Sequence, residues 1–168
     1  MNVLDILERQ SKLVADFFQA ELRKELEEQG HKDTGKLIDS IEYEILTDAN
    51  TIKIVFSYLY YGDIVESGVK AANIPFSPNS GAKSSKYIEA LKNWARRKGF
   101  KKPLSAAFAI AYKHKKEGMP TKNSYKFSAN GRRKNWRSFT LNQYLPQSLK
   151  IFADSDLEDL IKTILANK

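Results

Sequence analysis

Apolar residues recur at three- and four-residue steps from the start of the chain: Leu4, Leu7, Val14, Phe17, Phe18, Leu22 and Leu26, with a polar gap at Gln10-Ser11. That spacing predicts one long amphipathic helix over residues 2–29, stopped by Gly30. Asp33-Thr34-Gly35 then has turn chemistry, because Asp and Thr side chains bond nearby backbone and Gly tolerates positive φ. The period changes to two in Ser40-Ile41-Glu42-Tyr43-Glu44-Ile45, the signature of a half-buried strand. Asp48-Ala49-Asn50 punctuates it, and Thr51-Ile52-Lys53-Ile54-Val55-Phe56 is the return strand of a hairpin. A lone hairpin is marginal, so the first helix is its expected cover.

An aromatic cluster at Tyr58–Tyr61 runs into a short helical turn that Gly68 ends, and residues 73–85 read as a loop. A second helix is expected from Lys86 to Lys98, with Tyr87, Ile88, Leu91, Trp94 and Ala95 inward. Pro103 opens a third helix that reaches Lys116, with Gly118 and Pro120 closing it. Thr121 to Arg137 is basic and aromatic, and reads as a long hairpin or a mobile loop. A strand is expected at Ser138-Phe139-Thr140-Leu141 and a closing helix over Asp156–Leu165. The order α-β-β-α-α-β-α predicts an α+β fold: a long N-terminal helix packed on a small antiparallel sheet, an inserted helical pair and a C-terminal helix. A chain of 168 residues suits a single domain over 1–168, with residues 1–76, 77–137 and 138–168 as its successive parts.

Charge changes this picture more than composition does. Residues 1–82 carry 8 Lys/Arg against 14 Asp/Glu, a net −6, whereas residues 83–168 carry 20 against 6, a net +14. Such polarity suits a subunit whose acidic side meets a neighbour's basic side, or one whose basic side meets DNA. No apolar run is long enough to cross a bilayer, and the acids among the first nine residues argue against a signal peptide. A protein made in the cytoplasm, without a membrane partner, is the expectation.

Candidate chemistry is thin. With zero Cys, thiolate nucleophiles and cysteine zinc sites are excluded. His31 lies in a polar turn and His114 ends a helix among lysines, so both are expected to be solvated. Glu42 and Glu44 lie on a strand's wet face, Glu27-Glu28 and the pair Asp63 and Glu66 read as surface or helix-end acids, and no metal or cofactor is expected. Gly81-Ala82-Lys83-Ser84 fails as a phosphate loop, since Ala82 separates Gly from Lys and Phe76 stands where the first Gly is needed. The stronger signal is the tract Lys122, Lys126, Arg132, Arg133, Lys134 and Arg137, interleaved with Tyr125, Phe127 and Trp136. Cations that neutralise phosphates, beside aromatic faces that stack on bases, make a candidate nucleic-acid or partner surface. Lys92, Arg96, Arg97 and Lys98 extend it. The plainer reading is that the aromatics pack inward and the cations keep the segment wet.

Asp33-Thr34-Gly35-Lys36-Leu37-Ile38-Asp39-Ser40-Ile41 resembles a TGxLxxSI opening. After one intervening strand, Tyr60-Tyr61-Gly62-Asp63-Ile64-Val65-Glu66-Ser67-Gly68 is similar to a YAxxVExG segment, followed by the Pro75-Phe76 pair. In this order the motifs resemble the tail-component family of tailed bacteriophages typified by gene product ten of phage HK-ninety-seven, also described as neck, head-tail joining or tail-completion proteins. The resemblance covers residues 1–76 and leaves 77–137 as a large insertion. It implies a non-enzymatic structural virion protein, made in the host cytoplasm, that forms a homo-oligomeric ring at the head-tail junction between connector and tail proteins. Thr34, Gly35, Leu37, Ser40, Tyr60, Tyr61, Val65, Glu66 and Gly68 are then its fold or subunit-interface motif. Lys122, Lys126, Arg132, Arg133, Lys134, Trp136 and Arg137 would line a DNA channel or dock on the next ring. A free nucleic-acid-binding module using residues 86–137 is the rival expectation.

Overall fold

The computed structural model describes residues 3–48, 51–78 and 85–154. Helix α1 spans Val3–Glu28 and is followed by the short α2, Lys36–Asp39. Strands β1, Glu42–Asp48, and β2, Thr51–Ser57, pair antiparallel, with Tyr43 opposite Phe56 and Ile45 opposite Ile54. Helix α3, Gly62–Ser67, precedes a 3-10 turn at Ala71–Asn73. The helical pair is α4, Lys86–Arg97, and α5, Pro103–Glu117; a second 3-10 turn covers Lys122–Phe127, and α6 runs from Trp136 to Asp154. The fold is therefore mixed α and β, with the expected long first helix, two-stranded sheet and inserted helical pair.

One core lies where α1, α2, the hairpin and the start of α6 meet. Leu22, Leu26, Leu37, Ile38, Ile41 and Trp136 form it, with Phe56, Tyr58, Tyr61 and Val65 packed around them. A second, smaller core joins α4 to α5 through Ile88, Ala107 and Ala111. The alanines let the two helix backbones approach closely, while Phe76, Tyr87, Leu91 and Phe108 fill the rim.

The expected strand at Ser138–Leu141 is instead the first turns of α6. Its buried positions are Trp136, Thr140 and Ser148, with Tyr144 half-buried between them; this is a helical row whose polar members hide it from a hydrophobicity count. The same helix turns Leu141, Leu145 and Leu149 to solvent, 38%, 52% and 61% exposed. Its amphipathic pattern is inverted. The polar gap in α1 has the same cause, for Gln10 and Ser11 are buried on the helix that packs along α6. The closing helix expected at Asp156–Leu165 lies outside the described residues.

Residues 121–137 form neither a long hairpin nor a second strand pair. After the 3-10 turn the chain crosses the C-terminal end of α1, where the Ala129 N–H donates to the Glu28 carbonyl at 2.7 Å. An isolated antiparallel bridge between Val69 and Met119 ties the helical pair to the end of α3.

Candidate functional site

The motif residues divide sharply once placed. Gly35 holds φ +80°, a left-handed turn that starts α2 and drops Leu37 and Ile38 into the core. Ser40 Oγ accepts the Leu59 N–H at 3.1 Å and donates to the Leu37 carbonyl at 2.8 Å, stitching the start of the hairpin to its end. Tyr61 and Val65 pack on the core. Thr34 is exposed, and Tyr60 is the most exposed large hydrophobic of the described residues.

Glu66 has the most specific role. It is buried (7% exposed), and its carboxylate accepts the backbone N–H of Arg137 at 2.8 Å and of Ser138 at 3.1 Å, with the Ser138 hydroxyl as a further donor. Its backbone carbonyl takes the Asn135 N–H at 2.9 Å. Glu66 is thus the N-terminal cap of α6, an anion held against the positive end of a helix dipole. Of the two expected readings, surface acid or helix-end acid, Glu66 takes the second, at the end of α3 and buried against the start of α6. Two residues on, Gly68 sits at φ +72°, and a Cβ there would run into the Met119 carbonyl oxygen.

The basic tract is turned inward to a degree its composition conceals. Arg132 makes a paired contact with Glu25, Nε to Oε1 at 3.0 Å and a terminal nitrogen to Oε2 at 2.8 Å, while its guanidinium stacks 3.5 Å from the Phe139 ring centre. Glu25 is 5% exposed and also accepts from Gln29 and Asn130. Arg133 donates to the Gln29 carbonyl at 2.7 Å and to that of Gly30 at 3.2 Å, capping the end of α1. Gln29 Nε2 in turn donates to the Lys134 carbonyl at 2.9 Å, and Lys134 itself is half-buried. Arg137 bonds the Tyr58 hydroxyl and, at 3.1 Å, Asp63. Trp136 is 0% exposed, its indole N–H donating to the Gly62 carbonyl at 3.1 Å, so its ring is closed to any stacking base. Of the seven tract residues, Lys122 and Lys126 are the ones classed as exposed. The tract is chiefly a strap that locks α1, α3 and α6 together.

The histidines also differ from expectation, since both are half-buried. His31 contacts the Arg133 carbonyl at 3.3 Å, and burial beside the Arg133 cation pushes its pKa down to about 4. His114 Nδ1 lies 2.6 Å from the Tyr87 hydroxyl; burial lowers the His114 pKa and raises that of Tyr87 to about 12. Glu42 and Glu44 are exposed on the outer face of the hairpin, as their alternation predicts. Among the described residues no group of three or more His, Asp and Glu is placed to hold a metal ion, and no helix is long and apolar enough to cross a membrane.

Beside the strap, α3, α4 and α5 border a half-open cleft of about 890 Å³. Ile64, Leu91, Trp94, Phe100 and Phe127 line it, with Lys98, Lys113, Lys126 and Arg133 among its cations. Sequence reasoning did not bring these residues together, nor did it single out Glu25 or Gln29. The latter two were legible in principle, because both fall on the buried stripe that contains Phe18, Leu22 and Leu26. No protein-family model, curated protein or solved structure matches this chain.

Proposed function

We propose that this protein is a structural, non-enzymatic subunit that works by assembling with copies of itself, and that it serves as a neck or tail-completion ring at the head-tail junction of a tailed bacteriophage. The observation that carries the assembly reading is α6, which hides Trp136, Thr140 and Ser148 and presents Leu141, Leu145 and Leu149 as one exposed stripe. A chain that ends its folding as a monomer gains by doing the reverse, since each buried leucine contributes about 1.5–3 kcal/mol. A contiguous exposed apolar row is the mark of a surface meant to be covered. Leu4, Leu13, Leu46, Val55 and Ile64 are likewise large and exposed. The phage assignment rests on the TGxLxxSI-like and YAxxVExG-like segments, in which Leu37, Ser40, Val65, Glu66 and Gly68 do framework work.

The rival, a free nucleic-acid-binding module, loses support from the side chains that suggested it. Trp136 is buried, and Arg132, Arg133 and Arg137 are engaged within the chain. Lys122 and Lys126 remain outside, and Lys122, which does not line the cleft, can meet a passing phosphate backbone in a ring channel, which asks for far less intrinsic affinity than a free binder needs. Electron microscopy of the purified chain, alone and with the connector and tail proteins of the same particle, tests the reading. Closed rings in either sample are the expected result; monomers in both would overturn it.

A further inference from the structure

The cleft and the hairpin are complementary in chemistry and sit toward opposite ends of α1. The cleft borders the C-terminal end of that helix, with Gly30 and His31 in its lining. The hairpin starts beside the middle of α1, where Gln19 and Arg23 both donate to the Ile41 carbonyl at 2.8 Å. It then runs toward the N-terminal end, since Tyr43 bonds Asp16 at 2.5 Å. A helix of 26 residues is about 39 Å long, so one molecule cannot easily bring the hairpin tip to its own cleft.

The inner face of the hairpin packs on α1, and its outer face is exposed. That outer face carries Glu42, Glu44, Leu46 and Val55, with Lys53 and Ser57 opposite Leu46 and Glu42 in the register. It is an acidic and apolar ribbon. The cleft presents apolar walls from Ile64, Trp94 and Phe100, with Lys126 at its edge; Lys98 lies 3.9 Å from Asp33, which also lines the cleft, and Lys113 pairs with Glu117 at 2.5 Å, so a partner's carboxylates would share or replace these acids. Ile64 and Phe100 are exposed as the molecule stands. Charge of opposite sign around matched apolar centres both steers association and fixes register.

We infer that the cleft between α3 and the α4–α5 pair receives the outer face of the β1–β2 hairpin of a second copy. This inference rests on the assembly reading above and gives it a geometry. Two different patches on one subunit make a head-to-tail contact, which closes into a ring when the rotation per subunit divides a full turn. The segment 77–137 then has a purpose: it builds the socket that a minimal helix-and-hairpin subunit lacks.

Charge exchange tests the contact directly. One variant carries Glu42→Lys with Glu44→Lys, and the other Lys98→Glu with Lys126→Glu; all four positions are exposed, and circular dichroism checks that both variants fold. Each alone should weaken self-association at least tenfold, while the equimolar mixture, and a chain carrying all four changes, should recover it. Because the chain has no cysteine, Leu46→Cys with Phe100→Cys should also give a disulfide-linked ladder under mild oxidation, whereas neither single substitution should. If the wild-type chain assembles but both charge variants assemble equally well and no ladder forms, the hairpin-in-cleft contact is wrong and the assembly reading stands. If the wild-type chain never assembles, both fall.

Discussion

The buried carboxylate of Glu66 accepts the backbone N–H of Arg137 at 2.8 Å, so a residue of α3 caps a helix that begins 70 positions later. This contact joins the motif-bearing first part of the chain to its last described helix. Neutralising it by Glu66→Gln should cost about 1 kcal/mol, and Glu66→Ala, which removes the acceptor of two part-buried backbone donors, about 2 kcal/mol. Urea denaturation of the three proteins measures both, and an unchanged midpoint for Glu66→Ala would remove Glu66 from this role.

The ion pair between Glu25 and Arg132 should behave as a buried pair. Arg132→Ala leaves an almost fully buried carboxylate without its cation and should destabilise by about 3 kcal/mol. Arg132→Lys keeps the charge but loses the forked geometry and the stack on Phe139, and should fall between wild type and the alanine variant. Thermal unfolding at neutral pH ranks the three.

Two glycines with similar backbone angles should respond differently to alanine. Gly99 has φ +76° and open space around it, so Gly99→Ala should cost about 1 kcal/mol from the left-handed conformation alone. Gly68 has φ +72° with the Met119 carbonyl oxygen in the way, so Gly68→Ala must also push apart the Val69–Met119 bridge. A loss of roughly 3 kcal/mol or more is expected there. Equal losses at the two positions would contradict the close approach.

His31 predicts an acid-sensitive fold. Its folded pKa of about 4 lies below the unfolded value of 6.5, so the unfolded state binds the extra proton between them. The stabilising effect of neutral His31 is therefore complete above pH 6.5 and is lost as pH falls toward 4, by about 2 kcal/mol once partial solvent access is allowed for. His31→Asn should flatten that part of the stability profile, as chemical denaturation from pH 7 down to pH 4 would show.

Much of the architecture was readable in the sequence because it follows simple periods. The three- and four-residue step gives α1, the two-residue step gives the hairpin, and Pro103 and Gly118 bracket α5. The strand expected at Ser138–Leu141 is helix for a physical reason: the inward row of α6 is Trp136, Thr140, Tyr144 and Ser148, while its leucines face out. Hydrophobic periodicity assumes that apolar means inside, and here exposed leucines beside a buried Trp, Thr and Ser row reverse the sign. The inward pairing of the basic tract escapes the sequence for a related reason. Composition reports that arginines are present, but nothing local records that Glu25, the end of α1 and Tyr58 with Asp63 hold three of them. The cleft joins residues from Gly30 to Arg133 and has no contiguous signature at all.

Native mass spectrometry of the wild-type chain beside Leu145→Glu tests the central claim most directly, because that substitution lies on the exposed leucine row and away from the core. A single closed oligomer for the wild type, and a folded species reduced to small forms or monomer for the variant, is the predicted result. A wild-type chain that stays monomeric across the concentration range, or a variant that assembles as the wild type does, would contradict the account of α6 as an assembly surface.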